Sequence, residues 1–221
     1  MVPRTTKKTD EQIIIPKIEL KQVEIRIVGT SPLVVHQFGV KAKRMMLEKQ
    51  TKTAKTTAKE AKNPVEDFMT ANYWLTPMPD EFTPDAFEAA LQDGAKFGFK
   101  AVGVKAATVS AAYRCGLSKD KVSLFGAFHI NVEFLEIKGV QPVMREDVVR
   151  LATGVADLRY RPEFPPGWYM DLPITYNSSL YSLEQIATFI NLGGFAVGIG
   201  EYRIEKGGQW GAYSVATEKA A

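Results

Sequence analysis

Cysteine occurs once, at Cys115, and histidine twice, at His36 and His129, in a chain of 221 residues. A single cysteine excludes an internal disulfide and suits a reducing compartment, so a cytoplasmic location is expected. With no CxxC pair, no HExxH helix and no Cys/His cluster, a zinc centre has no ligand set. No apolar run approaches the roughly 20 residues of a membrane helix. The first residues, MVPRTTKKTDEQ, lack the apolar stretch of a secretory signal. There is no GxSxG elbow, and GTSP at 29–32 reads as a turn. No repeat of solenoid type is present.

What is present is ordinary in bulk and uneven in detail. Hydrophobic residues make up 45% and charged residues 24%, a balance that buries a core in a chain of this length. The net charge is only +3, yet residues 41–62, KAKRMMLEKQTKTAKTTAKEAK, hold eight Lys or Arg against two Glu. Such a one-signed segment points to a polyanionic partner more than the total charge does. Lys41, Arg44, Lys52, Lys55, Lys59 and Lys62 recur at steps of three or four, with Glu48 in the gap, so a helix would carry them as one basic stripe. Thr51, Thr53, Thr56 and Thr57 weaken that helix, and its poor apolar content predicts order only on binding. The alternative for such a segment is a solvated lysine-rich face.

Alternation from Ile18 predicts a strand over about 17–28 with a phase slip near Lys21, then a turn and a short extended LVVH. A short helix and a loop are expected over 63–82. Thr83-Pro84-Asp85 opens a helix to about Gln92, and small residues mark another over 102–115. Strands are expected over 122–137, a helical turn at MREDVVRLA, and two strands, ADLRYRPEF and WYMDLPITYN, joined by a PPG turn. SLEQIATFINLGG is a helix with Ser182 as cap, Gln185 completing a capping box, and Gly193 as its end. This order gives an α+β class: a ferredoxin-like or RRM-like split βαβ core, with a lysine-rich helical insertion and a C-terminal glycine-rich β-hairpin. The expected organisation is a tail at 1–16, one domain at 17–216 with an insertion at 39–80, and a flexible tail at 217–221.

The glycine-rich stretch 193–213, GGFAVGIGEYRIEKGGQWGAY, invites a phosphate-cradle reading and fails it. Arg203 stands where the dinucleotide fingerprint needs glycine, and Lys206 is followed by Gly207 rather than the Ser or Thr of a P-loop. The expected structure is a hairpin turning at Gly207-Gly208, with IGEYRI paired to WGAYSV. Arg203 and Lys206 would supply charge to it, and Tyr202 and Trp210 flat faces on which bases stack; strand aromatics also serve simply as core.

Catalytic constellations are absent, so the expectation is a protein that is not an enzyme and takes no cofactor or metal. His129 reads as a structural histidine between Phe128 and Ile130. Cys115 reads as a small core residue. His36 ends an apolar strand, where it could touch a ligand. Asp157, Glu163 and Asp171 sit near strand ends; metal binding competes there with the commoner salt-bridged role.

Taken together, the helix SLEQIATFINLGG leading into GIGEYRIEKGGQWGAY, the early strand ending in GTSPLVVH and the helix after GFKAVGVKAA resemble the RAMP superfamily. These are RRM-like proteins that include backbone subunits of CRISPR effector complexes; the chain looks closest to relatives encoded by tailed phages. The resemblance spans residues 18–215. It implies binding of single-stranded DNA or RNA and self-association along the strand as an oligomer or filament. Arg203, Lys206 and the loop glycines match the family's glycine-rich region, and Lys100 and Lys105 fall at the start of its first core helix. No residue matches a catalytic acid of the RNA-cleaving members. The expected nucleic-acid contacts are Lys41, Lys43, Arg44, Lys52, Lys55 and Lys59, then Lys100, Lys105, Arg114, Arg203 and Lys206, with Tyr202 and Trp210 for stacking. Two alternatives stand beside this reading. One is a structural or protein-interaction role, such as an inhibitor mimicking a host subunit. The other is a metal-dependent nuclease using acids such as Asp157 and Asp171.

Overall fold

The computed structural model describes residues 18–51, 61–150 and 153–216. Alternating side chains make β1 (Leu20–Gly29) two-faced: Ile25 and Ile27 are buried, while Glu24 and Arg26 point the other way. β1 pairs antiparallel with β8 (Tyr169–Asn177) on one side and with β9 (Tyr213–Val215) on the other. β4 (Phe128–Ile130) pairs with the far edge of β8, giving the order β4-β8-β1-β9. β1 and β4 are both antiparallel to β8, hence parallel to each other, and α4 (Ala101–Arg114) lies between them in sequence. β8 and β9 are parallel by the same reasoning, with α6 (Leu183–Ala196) between them. Two β-α-β units therefore interleave, each placing a strand inside the other.

α4 packs against α6, and Ala107, Ala111 and Ala112 of α4 are buried. Ile27, Trp168, Met170, Leu172, Ile174 and Ile190 are fully enclosed in the core. α6 begins as its capping box predicts: Gln185 N–H donates to Ser182 Oγ at 3.3 Å, and Ser182 N–H to Gln185 Oε1 at 2.8 Å.

A second sheet holds β2 (Leu33–Val34), β6 (Val143–Arg150) and β7 (Ala156–Phe164) in the order β2-β7-β6. β3 (Phe97–Lys100) pairs with β5 (Phe134–Ile137). Short capped helices decorate these sheets: α2 (Pro64–Thr70) on Asn63, α3 (Pro84–Gln92) on Thr83 and α5 (Lys121–Ala127) on Asp120. α1 (Val40–Gln50) has no side-chain cap. The architecture is mixed, with antiparallel sheets and six helices among the described residues. None of these helices is long and apolar enough to cross a membrane.

Four expectations change. Residues 121–127 are helix rather than strand, because Asp120 Oδ1 accepts the Ser123 N–H at 2.7 Å and starts a turn. MREDVVR is a strand, β6, because β7 offers a full-length antiparallel partner from Val143↔Glu163 to Arg150↔Ala156. Cys115 is exposed at the C-cap of α4, not in the core. The glycine-rich hairpin does not form. α6 runs on through Gly193 and Gly194 to Ala196, and β9 pairs with β1 rather than with IGEYRI. Gly198 (φ 70°) and Gly200 (φ 78°) bend the chain out of extended conformation, and a Cβ at Gly200 would strike the Val34 carbonyl. Of the basic insertion, residues 40–50 form α1, and Lys52, Lys55 and Lys59 lie outside the described residues, as do both expected tails.

Candidate nucleic-acid interface

The loop between α6 and β9 is fastened at both ends to the segment around β2. Glu201 N–H donates to Val34 C=O at 2.8 Å, and Gly211 N–H to Pro32 C=O at 2.7 Å. Its two predicted stacking residues meet each other edge to face, with Tyr202 and Trp210 centroids 4.7 Å apart. Each also receives a guanidinium from the β6–β7 hairpin: Arg145 lies 3.9 Å from the Trp210 centroid and Arg161 4.8 Å from that of Tyr202. One face of each ring is thus covered by the chain itself. Arg161 is only 3% exposed; its Nη2 donates to Asp147 at 2.7 Å and to the Tyr202 hydroxyl at 3.1 Å. Its Nη1 reaches Glu201 at 3.4 Å, while its Nε has no partner among the described residues.

On its other side the loop faces α4. Arg114, in the last turn of α4, binds Glu205 at 2.6 Å, and Arg203 binds the same carboxylate at 3.1 Å. Burial pushes the Glu205 pKa up, but Arg203, Arg114 and Lys206 together hold it below the usual carboxylate range. Lys206 is exposed and has no ion-pair partner among the described residues. A cleft of about 450 Å³ opens between the loop, α4 and α5, with small residues such as Gly103 and Ala106 on its floor and Lys121, Phe125 and Arg203 around it. Lys100 is exposed at the N-cap of α4, with Nζ 5.9 Å from the Tyr73 ring. Lys105 Nζ lies 3.3 Å from His129 Nδ1 beside Phe128 and Phe125, and desolvation there lowers its pKa.

The larger cleft, about 930 Å³, lies between α1, α2, β7 and the segment that leaves β2. Arg44, Lys62, Arg159 and Arg161 border it, together with His36, Phe38 and Tyr160. Lys43 and Arg44 are exposed on α1, which also carries Lys41 in its first turn. Several acids temper these cations: Arg44 pairs with Glu48 at 3.7 Å, Lys62 with Asp157 at 3.3 Å, and Arg159 with Asp157 at 3.6 Å. All are partly solvated pairs, which exchange readily for phosphate. Desolvation pushes the His36 pKa below the ordinary histidine value; Glu201 opposes that, and Arg159 and Arg161 reinforce it.

The predicted contacts thus fall into two groups, one on α1 beside the large cleft and one along α4 and the loop. Sequence reasoning passed over Phe38, Arg159, Tyr160 and Arg161. The cation–aromatic alternation of Leu158-Arg159-Tyr160-Arg161 was a readable signal for three of them.

Asp157 and Asp171 are not neighbours in a sheet: Asp157 is in β7 and Asp171 in β8. Asp171 accepts from Arg26 at 2.7 Å and Lys138 at 3.1 Å. Among the described residues no group of three or more His, Cys, Asp or Glu could hold a metal. The Arg26 hydrogen bond depresses the Asp171 pKa, burial opposes it, and Lys138 adds to the depression. With the folded value below the unfolded one, the stabilisation is complete above the unfolded carboxylate pKa, near about 4, and disappears as pH falls through the folded value. Asp171→Asn is expected to cost about 1–3 kcal/mol at pH 7. Urea unfolding at stepped pH checks this: wild type and variant should converge in acid, and a constant gap would contradict the assignment.

Comparison with protein-family models and with curated proteins finds no match. Among solved structures, Cmr6 from Pyrococcus furiosus aligns with 90% of this chain and 100% of its own, at 11% identity and a TM-score of 0.38. So loose a superposition supports no statement about fold or function.

Proposed function

We propose that this chain is a non-catalytic protein that binds single-stranded DNA or RNA and assembles along the strand. The observation that carries the reading is the large cleft, where Arg44, Lys62, Arg159 and Arg161 stand among the rings of Phe38 and Tyr160 beside the basic helix α1. Cations that track phosphates, interleaved with rings that accept bases, are what an unpaired strand requires and a duplex does not. Lys52, Lys55 and Lys59 follow α1 in sequence and are the next cations proposed to meet phosphates. The interleaved β-α-β units support reading the core as ferredoxin-like, in keeping with the RAMP resemblance. The polar outer face of the four-stranded sheet, where Arg26 covers the Tyr169 ring at 4.4 Å, favours the clefts over the sheet as the binding surface. Asp157 and Asp171, each engaged with cations, support a role without strand cleavage.

Fluorescence anisotropy with labelled single-stranded DNA, single-stranded RNA and duplex DNA over a salt series tests this. Single strands are expected to bind tightly at low salt, with log K falling linearly in log salt. Changing Lys52, Lys55 and Lys59 to Glu should weaken binding to every sequence and flatten the slope by about one unit per lost phosphate contact. Absence of binding at low salt would overturn the reading in favour of a protein-interaction role. Loss of a labelled strand on incubation with magnesium would overturn its non-catalytic part.

A further inference from the structure

Resting on that reading, we infer that His36 and Phe38 form a clip that admits one flat nucleobase between their rings, its phosphate reaching the cations of the large cleft. The two rings are nearly parallel, with planes 11° apart and centroids 6.4 Å apart. Two aromatic planes in contact lie roughly 3.5 Å apart, so a ring inserted midway needs close to twice that; the centroid distance of 6.4 Å is the widest gap the two rings can leave, so they open slightly to take a base. The residues stand at i and i+2 just beyond β2, and their centroid separation is close to the roughly 6.6 Å two-residue repeat of an extended chain.

That segment is held in place. Val35 N–H donates to Pro162 C=O at 3.1 Å, and Gln37 N–H donates to Ala71 C=O at 2.8 Å. The odd-numbered residues thus anchor the backbone to β7 and to the end of α2, while the even-numbered rings line the cleft. Phe38 is 64% exposed, an unusual position for a phenyl ring among the described residues. Burial, with Arg159 and Arg161 adding to it and Glu201 opposing, lowers the His36 pKa and so favours the uncharged ring, which suits stacking on a base. Arg159 borders the same cleft, with its charge only loosely engaged by Asp157 at 3.6 Å. Arg161, enclosed but for 3% and paired with Asp147 and Glu201, fixes the wall of the cleft, and its Nε has no partner among the described residues.

The test uses the full chain and 2-aminopurine, whose fluorescence is quenched on stacking, placed in an otherwise abasic-free oligonucleotide and also supplied as its free nucleoside monophosphate. Quenching on binding that is lost in Phe38→Ala, with affinity reduced roughly tenfold and the salt slope unchanged, is the expected result. Phe38→Trp should restore it, which a loss through misfolding would not. Arg159→Gln should lower the salt slope while retaining the quench. Quenching of the monophosphate without strand binding would keep the clip and defeat the strand reading. Strand binding with no quench at any position, or a quench indifferent to Phe38→Ala and His36→Ala, would defeat the clip and keep the strand reading. No quench by either probe and no strand binding would defeat both.

Discussion

Arg161→Ala is expected to lose about 3–5 kcal/mol of folding stability, the usual cost of removing one partner from a buried ion pair. Arg161 is enclosed, and its loss leaves Asp147, whose side chain is 12% exposed, with Arg145 at 3.0 Å as its remaining ion-pair partner among the described residues. It also removes the cation against Tyr202 and the donor to its hydroxyl. Tyr202 sits at φ 50°, a left-handed conformation that a residue with a large side chain holds only when its surroundings insist. The loop should therefore loosen as well as the hairpin. Chemical denaturation measures the first effect, and amide exchange across 198–211 the second. Arg161→Lys keeps the charge but loses the fork and should recover only part of the loss. An unchanged midpoint in Arg161→Ala would show that the hairpin and loop are held together by other contacts.

Trp168→Ala should cost about 3–5 kcal/mol by opening a large cavity in the core. Trp168 is completely buried, its Nε1 donates to Ser31 C=O at 2.9 Å, and its ring meets that of Tyr213 at 6.4 Å. The reciprocal change is more informative. A methyl group at Gly29 would fall within the indole ring, and neither side can retreat: Gly29 N–H donates to Trp168 C=O at 2.6 Å, and Gly167 N–H donates to Gly29 C=O at 3.0 Å. Gly29→Ala alone should therefore destabilise by several kcal/mol, more than the roughly 1–3 kcal/mol of ordinary overpacking. In a Trp168→Leu background the same methyl should cost far less, a coupling that a double-mutant cycle of thermal midpoints reads directly. Additive effects would mean that the backbone at Gly29 moves freely.

What the residues revealed in advance follows from which forces were local. The capping box at Ser182 and Gln185, the Thr83-Pro84 helix start and the alternation of β1 depend on neighbours a few positions away, and all three were legible. β6 was not: MREDVVR is rich in helix formers, and it becomes a strand by pairing in a hairpin with β7, a tertiary contact that outweighs its own helix propensity. VSLFGA reads as a strand by side-chain type, yet Asp120 caps it as a helix. The glycine-rich segment reads as a hairpin and is shaped otherwise, because the strand that β9 joins lies far back in the chain. The large cleft was hidden for the same reason. His36, Lys62 and Arg159 are separated in sequence and converge only once α2 lies across β7.

The position of β1 has a consequence for how the chain is made. β1 lies between β8 and β9, paired residue for residue with partners such as Ile25↔Leu172 and Ile27↔Val215. At roughly 5–20 residues per second of synthesis, its partners emerge on the order of 10–30 s after it does. Over that interval the apolar face of β1 and its unpaired backbone edges await contacts almost the whole length of the chain away, and loop closure must precede any reward from pairing. Folding of the central sheet is therefore late and slow, and a chain interrupted before Tyr213 would leave one flank of β1 open to the next nascent strand it meets.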